Sequence, residues 1–248
     1  MPYSHPQPLD RASIYRDWKH ILPGAMALSG TAGYINSVVL GFLDTPVSHM
    51  SGAVSHLGIA IADNDVSRST TSTLIILGFL VGAMLAGFLV GATRLTPSRR
   101  YGAVLMFEGV LLSISAILLA SKSPAGSMLA ATACGLQNAM SSSYCGLMIR
   151  TTHVSGIVTD LGVMLGHWVR HRRIVIWKLR FLVALLFSFG FGGVVGGVLN
   201  RMYGPICLGG AAVGCLLGGM IFWLVMQQQN CIDTEPEDVP KTSIFPNA

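Results

Sequence analysis

The sequence predicts an all-α integral membrane protein with six transmembrane helices and two short broken or re-entrant helices, built as two inverted repeats. Three observations predict this class. Only 11% of the 248 residues are charged, against roughly 25% in soluble domains. Long apolar runs alternate with short polar breaks, and the mean hydropathy is +0.60. A motif in the first half of the chain recurs in the second. Together these observations exclude a soluble globular protein.

Six apolar runs are each long enough to cross a hydrocarbon core about 30 Å thick at about 1.5 Å per residue. They are residues 21–43, 72–93, 101–121, 125–149, 179–199 and 205–226. Two further runs, 48–62 and 152–167, are shorter and contain His or Asp. We expect these two to form re-entrant or partial helices.

The placement of Lys and Arg supports six spans, because cytoplasmic loops are enriched in both. With both termini in the cytoplasm, only Arg68, Lys122 and Arg201 of the 16 basic residues lie outside. Counting the two short runs as full spans would place more of them outside. The predicted organisation is a cytoplasmic N-terminal segment 1–20, membrane repeat 1 over 21–121, membrane repeat 2 over 122–228 and a disordered cytoplasmic tail 229–248.

The charge distribution and the cysteine spacing indicate which partners and cofactors to expect. The net charge of +5 comes from basic residues that mostly lie at the ends of apolar runs, so we expect a lipid bilayer and no nucleic acid as partner. The five cysteines show no CxxC spacing, which indicates neither a zinc site nor a disulfide framework. We expect no cofactor.

The repeat is clearest in the short runs. Residues 49–58 (HMSGAVSHLG) align with residues 153–162 (HVSGIVTDLG), with six of ten positions identical. Upstream, Gly33 and Asn36 match Gly135 and Asn138. Each repeat then holds three spans, an odd number, so the halves must be inverted. Inverted repeats with broken helices are typical of secondary transporters, although a duplication can also simply build a stable bundle.

The same motifs carry a family resemblance. They are Gly33-Tyr34, Met50-Ser51-Gly52, Gly135 to Ala139, Arg150 to Gly156 and Asp160-Leu161-Gly162. Over about residues 25–226, the chain resembles the YoaK-like family of bacterial integral membrane proteins, a domain of unknown function. Ser51 and Ser155 stand where that family usually has Thr, and Ala53 where it often has Asn. The resemblance implies a bacterial inner (cytoplasmic) membrane location and carries no activity or functional residue.

The two Ser-Gly pairs open the short helices, and free N–H groups at a helix N-terminus favour an anion or a polar group. The matched asparagines lie in surroundings of small residues. We predict substrate binding at Ser51, Gly52, Thr152, Ser155, Gly156, Asn36 and Asn138. The alternatives are helix capping by the serines and hydrogen bonding between helices by the asparagines.

Ionisable residues at membrane depth are costly and therefore candidate sites. His49 and His56 are seven residues apart, as are His153 and Asp160, which places each pair on one helical face. Glu108 lies inside a span and has Gly210 at its repeat position. We predict proton coupling at His49, His56, His153, Asp160 and Glu108. A divalent metal site, ordinary interfacial histidines and a structural role for Glu108 are the alternatives; we predict no metal.

These residues favour a secondary transporter or facilitator of a small polar or anionic solute, with proton coupling as an option. In that case Asp160→Asn abolishes coupled flux without unfolding the protein. A non-catalytic membrane scaffold or sensor is the alternative. An enzyme is not expected, because the sequence has no convincing nucleophile triad or metal motif. Closely spaced glycines allow helices to approach, so a homodimer is compatible with the sequence.

Overall fold

The computed structural model describes residues 11–90, 99–143, 153–172 and 174–232, and every regular element within them is helical. The helices are α1 Arg11–Leu43, α2 Met50–Ala62, α3 Val66–Val90, α4 Arg99–Ala120, α5 Ala125–Ser143, α6 Val154–His171, α7 Ile176–Tyr203 and α8 Leu208–Ile232, with a 3₁₀ turn at Gly204–Cys207. The predicted all-α class is confirmed.

Four helical stretches in the described part of the chain are long and apolar enough to cross a membrane. They are Ile21–Leu43, Val66–Val90, Arg99–Ala120 and Ile176–Gln228. The last has 53 residues and contains α7, the 3₁₀ turn and α8. Helix α5 is not among them, because polar residues such as Thr132, Gln137 and Asn138 interrupt its apolar run. The chain thus has the helices of a membrane protein, and the number of six spans stays a prediction.

Two helices extend into the predicted terminal segments. Helix α1 begins at Arg11, inside the predicted N-terminal segment 1–20, and α8 continues to Ile232, into the predicted tail. Both extensions lack glycine and proline, so nothing in them stops a helix that is already nucleated. Residues 91–93 and 144–149 of two predicted spans, and 233–248 of the tail, lie outside the described residues.

Helices α1 and α7 form a close parallel pair. The backbone of Gly33 packs against the carbonyl oxygen of Phe189, where a side chain would collide. Farther along, a Cβ atom at Gly41 would lie 2.8 Å from the side-chain nitrogen of Asn200. Residue numbers rise together along the contact, so the helices run in the same direction. Glycine permits such close approach because it has no Cβ atom.

Helices α3 and α5 form a second parallel pair with the same contact. Here the backbone of Gly135 packs against the carbonyl oxygen of Phe79, and Gly82 packs against the carbonyl oxygen of Thr132. Gly135 is the repeat partner of Gly33, and Phe79 is that of Phe189. Each half of the chain therefore contributes one helix to each pair, through equivalent residues.

Helices α4 and α8 form the third pair, which is antiparallel. A Cβ atom at Gly102 would lie 2.6 Å from the carbonyl oxygen of Gly219, and one at Gly219 would lie 2.7 Å from that of Gly102. Farther along, a Cβ atom at Gly109 would lie 2.8 Å from the carbonyl oxygen of Ala212. Residue numbers fall on one helix as they rise on the other. These reciprocal contacts place the first half and the second half face to face.

The helix directions follow from these contacts. Gln137, late in α5, donates to the carbonyl of Leu28, whereas Ala130, earlier in α5, shares a core with Ile35, which lies farther along α1. Helix α1 is therefore antiparallel to α5. Helix α4 is also antiparallel to α5, since the Ser115 hydroxyl donates to the carbonyl of Gly126 across the turn between them (2.7 Å). Helices α1, α4 and α7 therefore run one way, and α3, α5 and α8 run the other.

Candidate functional site

The residues that lead into α2 are anchored inside the bundle, beside the last third of α1. The backbone N–H and the hydroxyl of Ser48 both donate to Oδ1 of Asn36, at 3.2 and 3.0 Å. Both residues are buried. Asn36 lies two turns before the end of α1 at Leu43, so the chain leaves α1, folds back by two turns and only then starts α2.

The neighbour of this helix start is an aromatic ring of α7. The ring centroids of His49 and Phe189 are 5.6 Å apart in an edge-on arrangement. The backbone of Phe189 packs on Gly33, near the centre of the apolar part of α1. The hydroxyl of Ser48 also lies 2.9 Å from Nδ1 of His49. The buried Asn36 and Ser48 and the half-buried His49 thus form one connected polar group.

The structure starts the short helices earlier than the Ser-Gly pairs. Helix α2 begins at Met50 with His49 as N-cap residue, and the cap has no side-chain hydrogen bond. Ser51 is exposed in the first turn, and Gly52 packs closely on the ring of Pro46 (2.7 Å from an added Cβ atom). Ser51 therefore does not cap α2, because the helix begins one residue before it.

Helix α6 repeats this start. It begins at Val154 with His153 as N-cap residue, again without a side-chain cap, so Ser155 and Gly156 lie exposed in its first turn. Ile157 is the buried residue of α6 and packs in a cluster with Phe181 of α7. Thr152, a predicted substrate ligand, lies outside the described residues.

The starts of α2 and α6 are close enough to interact electrostatically. Burial lowers the pKa of His49 below its ordinary value, and the charge that His153 can carry lowers it further. Two of the predicted coupling residues therefore lie within electrostatic range of each other. His56 lies two turns farther along α2, away from this start. Asn138 lies on α5, where its backbone carbonyl accepts hydrogen bonds from the hydroxyls of Ser141 and Ser142.

Asp160 is placed elsewhere, at the surface of the α6–α7 hairpin. Its carboxylate forms an ion pair with Lys178 at 3.3 Å, and the two side chains are 52% and 46% exposed. The pair links the second turn of α6 to the first turn of α7. The structure does not bring Asp160 to the start of α2.

Asp160→Asn is expected to change stability little. An exposed ion pair contributes typically less than about 1 kcal/mol, because water screens both charges. Thermal unfolding of the detergent-purified variant should therefore stay close to that of the parent protein. Lys178→Gln is the matched partner change and should behave in the same way. A large loss in either variant would show that this pair holds α6 in place.

Glu108 lies in a different part of the bundle. It is fully buried on α4, and in the part of the chain that the structure describes its carboxyl group faces only the weakly hydrogen-bonding thiol of Cys215 and no ionic partner. The thiols of Cys134 on α5 and Cys215 on α8 lie close enough to interact with it electrostatically. Glu108 therefore faces the α4–α5–α8 interface and not the starts of the short helices.

Three functional candidates were missed from the sequence. Ser48 aligns with Thr152 at the offset of the short motifs, so the repeat itself contained the signal that would have identified it. Phe189 lies 110 positions after Phe79 in the aligned repeats, so its place in the repeat was also a signal. Gln137 is fully buried and donates through Nε2 to the carbonyl of Leu28 at 2.6 Å, while its Oε1 has no partner among the described residues.

A family model described as "Protein of unknown function (DUF1275)" matches residues 24–221. The chain belongs to this family. The matched range begins near the start of the first apolar stretch and ends within α8, so it includes both short-helix starts and Glu108. The narrower YoaK-like resemblance stays a prediction. No curated protein and no solved structure matches the chain.

Proposed function

We propose that this protein is a secondary transporter or facilitator of a small polar or anionic solute, built from two inverted three-span repeats. The observation that carries the proposal is the exchanged packing of the two halves. Helix α1 packs on α7 and α5 packs on α3, through the equivalent contacts of Gly33 and Gly135. Two interlocked repeats of this kind are a recurring architecture of transporters, in which alternating access exchanges the conformations of the halves.

The helix directions support inversion. Each repeat contributes three long helices, and every helix runs opposite to its repeat partner: α1 to α5, α3 to α7 and α4 to α8. Arg68, Lys122 and Arg201 lie at the end of the bundle where α1, α4 and α7 end. Because basic residues are depleted outside, that end faces away from the cytoplasm of a bacterial cell, and both termini are cytoplasmic.

The starts of α2 and α6 support the class of solute. First-turn N–H groups of a helix are free donors, and they carry the positive end of the helix dipole. The side chains beside them are those of Asn36, Ser48, His49 and His153, which supply amide, hydroxyl and imidazole groups. Asp160 is held at the surface by Lys178. A small anion, or a solute with hydrogen-bond acceptors, fits this donor-rich site better than a cation.

Among the five predicted coupling residues, Glu108 is the strongest candidate for a proton site. A buried carboxylate without an ionic partner is costly when charged, so its neutral, protonated form is favoured in the interior. Its position apart from the short helices suits coupling through a conformational change and not through direct contact with the solute. The coupling role of His49 and His153 remains part of the proposal.

The test is a thermal-stability screen of ligands, followed by a measurement of flux into proteoliposomes. The purified protein is heated with small anions, neutral metabolites and divalent metals at pH 5 to 8, and a ligand of the folded state should raise its stability by about 2.7 kcal/mol at 100 times its Kd. Stabilising compounds are then offered to sealed proteoliposomes. We expect accumulation or exchange of at least one anionic or polar compound.

Ser48→Ala and Ser155→Ala should weaken both the stabilisation and the flux. Ser55→Ala is the matched control, because that hydroxyl lies on the exposed part of α2 and donates to the carbonyl of Ser51 in its own helix (2.9 Å). Binding that survives in all three variants would remove the short-helix starts from the site. A screen without any stabilising compound, and no flux, would favour the scaffold or sensor instead.

A further inference from the structure

The three helix pairs are not packed symmetrically. Helix α4 packs closely along α5, where the Ser115 hydroxyl bonds to the carbonyl of Gly126 and Leu119 covers that glycine (2.7 Å from an added Cβ atom). The repeat partners of α4 and α5 are α8 and α1. They touch near the 3₁₀ turn, where the Tyr34 hydroxyl donates to the carbonyl of Cys207 at 2.6 Å, and diverge from there.

An open groove lies where α8 and α1 diverge. It has a volume of about 440 Å³ and is bounded by α1, α7 and α8. Its walls include Gly30, Thr31, Tyr34, Ser188, Gly210 and Gly214. Gly210 and Gly214 of α8 are exposed, and an added Cβ atom at Gly214 would meet no atom within 4 Å. The α8 wall is formed by the small residues Gly210, Ala211 and Gly214, so α8 has room to close on α1.

The groove is the repeat counterpart of the interface that buries Glu108. At the offset of 102 positions, Thr31 and Tyr34 of the groove correspond to Ala133 and Leu136 of α5, and Gly210 corresponds to Glu108. Ala133 and Leu136 are fully buried against α4, together with Glu108. One interface of the repeat is therefore closed over a carboxyl group, and its partner is open.

We propose that the α4–α8 pair moves as a unit between two docking positions, and that Glu108 binds and releases one proton as it moves. In this structure the pair is docked on α5, and Glu108 is sealed. In the second state α8 is docked on α1 and fills the groove, while α4 has left α5 and opened Glu108 to water. The inference rests on the proposed function and gives its proton step a location.

The chemistry of the step is a simple acid dissociation. When α4 separates from α5, the carboxylic acid of Glu108 gives its proton to water and becomes a carboxylate. Docking requires the proton to return, because the closed interface offers no cationic partner among the described residues. The titratable groups that face Glu108 there are the thiols of Cys134 from α5 and Cys215 from α8, and neither supplies a positive charge.

Cys134 reports on the closed interface, because it is fully buried beside Glu108. The test protein keeps Cys134 and replaces the other four cysteines by Ala. Thr31→Cys and Gly214→Cys are then added on opposite walls of the groove and joined by mild oxidation. We expect the oxidised protein to react with N-ethylmaleimide at Cys134 at least about tenfold faster than the reduced protein, since the cross-link holds the second state.

The matched control joins Gly30→Cys to Ser188→Cys. These positions are in contact within the α1–α7 pair in this structure (3.2 Å from an added Cβ atom to Ser188 Oγ), so this cross-link should leave Cys134 protected. Without any cross-link, labelling of Cys134, measured relative to the denatured protein at each pH, should rise from pH 5 to pH 8. Glu108→Gln should remove that rise, because a neutral amide cannot release a proton.

The proposal is wrong if the Thr31–Gly214 pair cannot be oxidised while the control pair can, or if its oxidation leaves Cys134 protected. A pH response that persists in Glu108→Gln would also overturn the proton step. None of these measurements requires a solute. If they succeed but no flux is found, the movement stands and the transport function fails; if flux is found with Cys134 always protected, the reverse holds.

Discussion

Gly82→Val is expected to abolish the folded protein, whereas Gly87→Val on the same helix should be tolerated. A Cβ atom at Gly82 would overlap the carbonyl oxygen of Thr132 and lie 2.8 Å from the backbone nitrogen of Leu136. Both obstacles are backbone atoms of α5, so no side-chain rotation relieves the collision. At Gly87 an added Cβ atom meets nothing within 4 Å. The helix, the substitution and its propensity cost are the same in the two variants.

The expected magnitude follows from overpacking. An inserted side chain in a packed interior costs typically 1–3 kcal/mol, and separation of the whole α3–α5 pair should raise this above about 3 kcal/mol, because van der Waals packing is what holds membrane helices together. Size-exclusion chromatography should show aggregated or missing Gly82→Val protein, and a normal peak for Gly87→Val. An unchanged thermal unfolding temperature for Gly82→Val would show that α3 and α5 are not packed as described.

The repeat allows the same comparison in the other pair. Gly192 packs on the carbonyl oxygen of Gly30, as Gly82 does on that of Thr132, and Gly197 is open as Gly87 is. The Gly192→Val protein should therefore not fold, whereas the Gly197→Val protein should fold. Similar losses at Gly82 and Gly192 would support equivalent roles of the two pairs.

Much of the fold follows from local sequence properties. Apolar runs of sufficient length require helices in a membrane, and the repeated short motifs located both α2 and α6 within a few residues. The matched glycines at positions 33 and 135 identified residues at two of the close helix contacts. The pairing of α1 with α7 and of α5 with α3 did not follow, because a glycine shows that a neighbour approaches closely but does not identify that neighbour.

The candidate site was predicted less completely. The sequence predicts site roles for His49, His153 and Asn36, and all three lie at or near the starts of the short helices. The capping role considered for Ser51 failed, since Ser48 is bonded to Asn36 and the helix begins one residue before Ser51. Sequence spacing placed Asp160 on the same helical face as His153, yet an ion pair with Lys178 holds it at the surface. Such partners depend on how α6 and α7 pack, which periodicity along one helix does not specify.

Asn36→Leu is expected to release the start of α2 and to abolish flux. Leucine has a similar volume but no acceptor, so the backbone N–H of Ser48 loses its partner inside the bundle. The hydroxyl of Ser48 can still bond to Nδ1 of His49, 2.9 Å away. Leaving a buried donor unpaired costs about 1–3 kcal/mol. The segment before α2 should therefore open, and the donor groups proposed to hold the solute should lose their arrangement.

The release can be measured without knowing the solute. Val47, next to Ser48, is fully buried, so Val47→Cys in a protein without other cysteines should react slowly with N-ethylmaleimide. Adding Asn36→Leu should accelerate this reaction at least about tenfold, as expected when about 1.4 kcal/mol of closure is lost. Ser48→Ala should have a smaller effect, because the N–H bond to Asn36 remains.

A double-mutant cycle separates the loss of the Asn36–Ser48 hydrogen bonds from general destabilisation. Because Asn36 and Ser48 form one hydrogen-bonded unit, the effects of Asn36→Leu and Ser48→Ala on labelling and on flux should not add. Ser55→Ala, on the exposed part of α2, should add independently to either one. Slow labelling of Val47→Cys in the presence of Asn36→Leu would mean that other contacts, such as that of His49 with Phe189, hold the start of α2. In that case Asn36 would contact the solute without holding α2, and Asn36→Leu would abolish flux although the start of α2 stays closed.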